Sequence, residues 1–261
     1  MHSALWVSKT GMAAQDAKLT AISNNLANVN TIGFKKDKVV FEDLLYSVHK
    51  QAGVETTETN RHPTGVQFGS GVKILGTEKI NTQGSALTTN LQYDMAIEGE
   101  GFFQIETTTG ETVYTRNGQF RVNAEGLIVN GSGNPLVPNI TVPAEAISVA
   151  ISNDGIVSAS IPGQADNEEL GQITVARFNN PQGLRALGGN LLAETQASGE
   201  ANILVAGEEG AGYLRQGVLE GSNVQVVEEM VEMISTQRAY EMNVKMVSAA
   251  DQMLQYIAQH S

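Results

Sequence analysis

Residues 3–34, SALWVSKTGMAAQDAKLTAISNNLANVNTIGF, decide how the rest of the chain is read. Leu5, Met12, Leu19 and Leu26 recur every seven residues and Ile22 and Val29 fill the alternate step, so one face of a helix carries a narrow apolar seam. A seam that narrow needs a partner helix. The far end supplies one: Val226, Met230, Met233, Gln237, Tyr240, Val244, Val247, Asp251, Leu254 and Ala258 alternate four and three apart, with polar breaks at Gln237 and Asp251. The pattern predicts two seamed helices, within 1–34 and 222–261, that bracket the chain and pair in coiled-coil fashion.

The first helix is a poor one by propensity, because Thr10, Gly11, Thr20, Asn24, Asn25 and Asn28 each cost free energy relative to Ala. It should barely form alone. Asn28 to Phe34 read as its stop, with Gly33 free to take a positive φ. Lys35, Lys36 and Lys38 follow as a small cluster expected on a solvated face. At the other end Ser222 reads as an N-cap with Gln225 three residues on, a capping box, and Glu228 and Glu229 sit where the helix dipole favours carboxylates. Residues 1–38 carry five Lys against two Asp, and residues 222–261 carry five acids against Arg238 and Lys245, so the two ends are of opposite charge.

At 261 residues with 41% hydrophobic side chains the chain is long enough to bury a core, which scarce aromatics make mainly aliphatic. A net charge of −12 argues against nucleic acid as a partner, because phosphate neutralisation needs a surplus of Lys and Arg. There is no cysteine, which removes disulfides, thiolate metal sites and a cysteine nucleophile. The first residues lack the charged, apolar and small-residue regions of a cleaved secretory signal. No window approaches the roughly 18 apolar residues of a membrane-spanning helix.

Between the ends the pattern changes. Residues 35–84 and 196–221 read as extended connecting segments: Tyr46 to Gly71 is polar and punctuated, and Ser198 to Gly212 is rich in Gly, Ala and Glu. Residues 85–195 alternate apolar and polar in short runs with turn signals about every ten residues, the mark of an antiparallel sandwich or barrel. Asn117-Gly118, flanked by Thr112–Arg116 and Gln119–Val122, is the strongest hairpin signal in the chain. The fold class expected is therefore α+β, with terminal helices around an inserted antiparallel β domain.

No catalytic constellation emerges. His2, His49, His62 and His260 are scattered, and none has the spacing of a helix-borne zinc site. Gly99-Glu100-Gly101 opens like a dinucleotide fingerprint, but Gln104 stands where the third Gly belongs, so a tight turn between strands is the better reading. Asp94, Glu98 and Glu100 as an acidic pair are weaker than a solvated strand edge. No catalytic, metal-binding or cofactor-binding residue is assigned.

Ile22 through Lys35 resembles the N-terminal signature of the bacterial flagellar rod and hook family, and Met233 through Asn243 resembles its C-terminal one. A third match runs from Thr89-Asn90 through Asp94–Phe103 to Tyr114–Phe120, so the likeness spans the chain. Length and the segment from Phe41 to Gly71 are most similar to the distal-rod members, in which that segment adds axial contacts between subunits. Ala52 beside Gly53, where relatives often carry proline, leaves its stiffness open. The resemblance implies a structural subunit, not an enzyme and without cofactor, that assembles into a hollow helical shaft transmitting torque and passing exported subunits. It also implies that the terminal helices form the inner tube and the β domain faces outward. The seams place the assembly interface on Leu5, Met12, Leu19, Ile22, Leu26 and Val29 against Met230, Met233, Tyr240, Val244, Val247 and Leu254. The implied partners are further copies of the chain, proximal rod proteins, hook protein, peptidoglycan and outer-membrane ring proteins, and the flagellar export apparatus. The implied location is the basal body, crossing the periplasm, reached without signal cleavage. A proximal rod or hook subunit is the nearest alternative, and a secreted cell-wall-binding or cell-wall-cleaving protein a more distant one.

Overall fold

The computed structural model describes residues 2–51, 55–57, 60–61, 64–162 and 167–260; Ala52, Gly53 and His62 lie outside them. The fold is α+β and divides into two compact units. The first comprises residues 1–26, 37–78 and 225–261; the second comprises 27–36 and 79–224.

In the first unit, helix α1 spans His2–Ala27 and helix α2 spans Val226–His260, about 50 Å at ~1.5 Å per residue. Between them the chain folds back on itself as a two-stranded ribbon. Asp37–Asp43 pairs with Val72–Lys79, Tyr46–Lys50 pairs antiparallel with Val66–Gly69, and Glu55–Thr57 pairs antiparallel with Asn60–Arg61. The stretch expected as an extended segment or loop is thus backbone-paired for most of its length. The ribbon touches α1 near its base, where Val72 N–H donates to Thr10 Oγ1 at 3.4 Å, while Tyr46, Val48, Val66 and Phe68 are exposed.

The second unit is antiparallel in every described strand pair. Its largest sheet runs in the order Leu136–Val137, Phe103–Glu106, Thr112–Thr115, Leu191–Ala193, Arg185–Gly188. Ser148–Ile151, Ile156–Ser160 and Glu168–Gln172 form a three-stranded sheet. Phe103, Ile105, Leu136, Ile173 and Leu214 are fully buried in the main core, where Phe103 meets Phe120 edge-on at 5.2 Å. The aliphatic core that composition implied is the one observed.

Three local expectations are corrected. Residues 196–221 are no connecting segment: Asn202–Val205, Tyr213–Gln216 and Val218–Glu220 pair with Thr174–Arg177, Met95–Glu98 and Ala86–Thr88, closing the β unit with its last strands. Their partners lie up to more than a hundred residues away, a relation that local composition does not carry.

Asn117-Gly118 does not close a hairpin either. Thr112–Thr115 pairs with Phe103–Glu106, whereas Phe120–Val122 pairs with Ile128–Asn130, so the chain passes from one sheet to another. Gly118 is required by close approach: a Cβ there would lie 1.5 Å from the Met95 carbonyl oxygen. Asn117 Oδ1 accepts the Gln119 N–H at 3.0 Å, an Asx turn.

Helix α2 starts at Val226, not after Ser222. Ser222 Oγ accepts the Val224 N–H at 3.2 Å, within a turn that precedes the helix, and the first helical hydrogen bond runs from the Glu229 N–H to the Gln225 carbonyl. Glu228 and Glu229 do lie in the first turn.

Candidate assembly surface

The two helices meet through small and polar side chains. Lys18 Nζ lies 2.8 Å from Glu232 Oε1, Asn25 Nδ2 donates to Glu229 Oε2 at 3.2 Å, and Gly11 packs so closely on Asn243 that a Cβ would lie 3.0 Å from its Nδ2. Increasing numbers on α1 meet decreasing numbers on α2, so the pair is antiparallel. Ser8, Asn25, Glu229 and Thr236 are buried, and the apolar residues fully buried on these helices are Ala14, Ile22 and Ala250.

Asn25 is the most connected of these. Its Oδ1 accepts the Asp37 N–H at 2.8 Å, its Nδ2 donates to the Asp37 carbonyl at 2.9 Å, and the same amide reaches Glu229. One side chain thereby ties α1, the first ribbon strand and α2 together. In the sequence Asn25 reads as a poor helix former and as part of the motif at residues 22–35, not as a buried connector. Its place three residues after Ile22, on the buried stripe of α1, is the signal that could have found it.

Helix α2 keeps the alternating four-and-three period, but its phase differs from the expected seam. Glu229, Met233, Thr236, Asn243, Val247, Ala250 and Leu254 turn inward; of these Met233, Val247 and Leu254 belonged to the expected set. Met230, Tyr240 and Val244 are exposed. On α1, Ile22 is buried and Leu5, Met12, Leu19 and Leu26 are half-buried. Val29 is half-buried beyond the helix end, in the second unit. The polar breaks explain the shift: the stripe chosen for its apolar content is not the one that polar partners fix inward.

Large apolar side chains also face outward, chiefly on α2. Val227, Met230, Val231, Ile234, Met242 and Met246 on α2 are each at least half exposed, as is Trp6 on α1. Further along, Met253, Tyr256 and Ile257 line an open hollow with Ala249 and Gln252.

The acidic residues weighed for chemistry are otherwise engaged. Asp94 accepts from Thr89 Oγ1 at 2.6 Å, Glu98 pairs with Arg215 at 2.7 Å and Glu100 with Arg177 at 2.9 Å. Among the described residues no three His, Asp or Glu side chains are grouped to hold a metal ion, and no helix is long and apolar enough to cross a membrane. The basic cluster is corrected in part: Lys38 is exposed, but Lys35 is buried within the β unit against Glu220.

Comparison with known proteins places these features. Residues 5–35 match the flagella basal body rod protein family, residues 96–159 the flagellar hook protein FlgE/F/G D1 domain, and residues 215–259 the flagellar basal body rod FlgEFG protein C-terminal family. The flagellar basal-body rod protein FlgG of Buchnera aphidicola is 47% identical over 259 residues, covering 99% of this chain and all of the relative. That of Caulobacter vibrioides is 45% identical, covering 98% of both, whereas the rod protein FlgF of the same organism is 32% identical, covering 95% and 93%. With both ends and the middle matched, and with full-length relatives close to half identical, the chain belongs to the flagellar basal-body rod and hook family.

Proposed function

We propose that this chain is the subunit of the flagellar distal rod, and that copies join through the outward faces of α1 and α2 into a hollow helical shaft that transmits torque and passes exported subunits. The observation that carries the reading is the apolar surface left outside the intrachain helix contact: Val227, Met230, Val231, Ile234, Met242 and Met246 on α2 are each at least half exposed. Trp6, Met230, Val231, Ile234, Tyr240 and Val244 then belong to contacts between copies, with Leu5, Met12, Leu19, Leu26, Met233, Val247 and Leu254 shared between the intrachain pair and its neighbours. Heterologous contacts that do not close generate a filament. The higher identity to the FlgG relative than to the FlgF relative of one organism supports the distal branch over the proximal one.

Helix propensity supports the same reading: Thr10, Gly11, Thr20, Asn24 and Asn25 weaken α1, and helices draw most of their stability from packing, so the terminal segments order on assembly. The neighbours of such a shaft are proximal rod proteins, hook protein, peptidoglycan and outer-membrane ring proteins, and the export apparatus. Its role needs no catalytic group, and it lies in the basal body across the periplasm, reached without a cleaved signal.

Complementation tests the reading. In a strain lacking its distal rod subunit, the chain should restore rods and motility, and Ile234→Asp should fail while its β unit stays folded. Restoration of the hook in a hook-deficient strain instead, or normal rods from Ile234→Asp, would overturn it.

A further inference from the structure

Glu220 sits at the end of the last β strand, 2% exposed, between two buried cations. Its Oε1 lies 2.5 Å from Lys35 Nζ and accepts the Gly84 N–H at 3.0 Å; its Oε2 lies 3.3 Å from Arg116 Nη1. Its backbone carbonyl accepts the Gly33 N–H at 2.8 Å. Lys35 is 5% exposed and also donates to the Thr82 carbonyl at 2.7 Å. Arg116, 6% exposed, donates to the Ile97 and Gly99 carbonyls and lies over the Phe102 ring. Two cations thus share one carboxylate.

The cluster joins three distant parts of the unit, since Lys35 and Glu220 are 185 positions apart and Arg116 and Glu220 are 104 apart. Residues 27–36 have no strand of their own. They are held by Glu220, by Asn190 Nδ2 donating to the Ile32 carbonyl at 3.1 Å, and by Asn223 Oδ1 accepting the Lys36 N–H at 2.8 Å. These three partners come late in the chain, whereas the Ile80 N–H donating to the Lys36 carbonyl at 2.9 Å and the Thr82 carbonyl accepting from Lys35 come early; of all of them, Glu220 alone supplies a charge that offsets Lys35. Without Glu220, docking this segment brings the Lys35 ammonium beside the Arg116 guanidinium with only carbonyls to offset either charge, an arrangement that opposes burial. Burial is the main cause holding Lys35 below the ordinary lysine range; Glu220 opposes it and Arg116 adds to it.

We infer that Glu220 is an order-of-closure latch: residues 27–36, which follow the N-terminal helix directly, dock on the β unit only once its final strand is in place. Until then the N-terminal helical segment stays untethered. The closing element is intramolecular, so the latch operates in the single chain before any copy meets another.

Hydrogen exchange on the full-length monomer tests this in two arms. At equilibrium, residues 31–36 should exchange as slowly as the Phe103–Glu106 strand, and Glu220→Gln should speed them by about a hundredfold or more while that strand is unaffected. Replacing the second cation as well, in Lys35→Met/Glu220→Gln, should return part of the protection. In pulse-labelled refolding of the unaltered chain, which does not depend on any variant folding, residues 31–36 should gain protection in the same phase as Val218–Glu220 and after Phe103–Glu106. Wild-type protection of 31–36 in Glu220→Gln, or protection of 31–36 before the last strand, would overturn the latch.

Discussion

The carboxamide of Asn25 and the carboxylate of Glu229, 204 positions apart in sequence, meet at 3.2 Å in the buried contact between α1 and α2. A polar pair at an inward position fixes register, because any slip leaves its members in the wrong surroundings. Asn25→Ala deprives Glu229 and the Asp37 backbone of this partner, a loss of about 1–3 kcal/mol per copy. Assembled rods of the variant should dissociate at lower urea concentration than wild-type rods. Asn25→Asp, which sets a second carboxylate beside Glu229, should lower the midpoint further.

Gly33 supplies a second prediction, confined to the β unit. Its φ is +70°, and a Cβ would lie 2.7 Å from the Arg116 and Asn117 backbone. Gly33→Ala therefore meets both strain and collision, a destabilisation greater than ~1 kcal/mol. The melting temperature of the monomer's β unit should fall, whereas Gly131→Ala, with open space around its Cβ and no positive φ, should leave it nearly unchanged.

Tyr114 carries a pH signature. Its hydroxyl lies 3.3 Å from Glu194 Oε2, and burial first, then the Glu194 charge, push its pKa up from 10.0 to about 12. The folded state holds this proton more tightly than the unfolded chain. Stability is thus insensitive to Tyr114 below its unfolded pKa and falls as pH rises from 10 towards 12. Ultraviolet titration should show one tyrosine ionising at about 12, and Glu194→Gln should move that step downward.

The terminal helices should be ordered only in the assembly. Backbone exchange on the dilute monomer should be fast for Leu19 to Leu26 and through α2, and slow for the buried strands around Phe103 and Leu136. Strong protection of Leu19 to Leu26 in the dilute monomer would mean that the helix pair sustains itself.

The α+β class, both helices and the aliphatic core were legible in the sequence because seam spacing and short alternating runs are local signals, and the family was legible in the motifs within residues 22–35, 89–120 and 233–243. Partner choice was not. Glu220 and Lys35 look like ordinary surface charges until the fold brings them together, and Asn117-Gly118 has the composition of a hairpin turn but serves a close crossing with Met95. The phase of the α2 seam was missed for a related reason. Ranking stripes by apolar content favours residues such as Met230, Tyr240 and Val244 that stay exposed in the single chain, whereas Asn25, Glu229 and Asn243 turn inward.

Burial of the outward apolar side chains of α2 between copies is open to a direct chemical test because the chain has no cysteine. Ile234→Cys, Met246→Cys and Ile257→Cys each place one thiol at a position about half exposed or more, and Ile147→Cys places a reference thiol on the β unit. Maleimide labelling should proceed at similar rates at all four positions in the monomer. In assembled rods the three helix positions should slow at least about tenfold relative to the monomer; equal labelling of those positions in rod and monomer would mean that α2 does not form the contacts between copies.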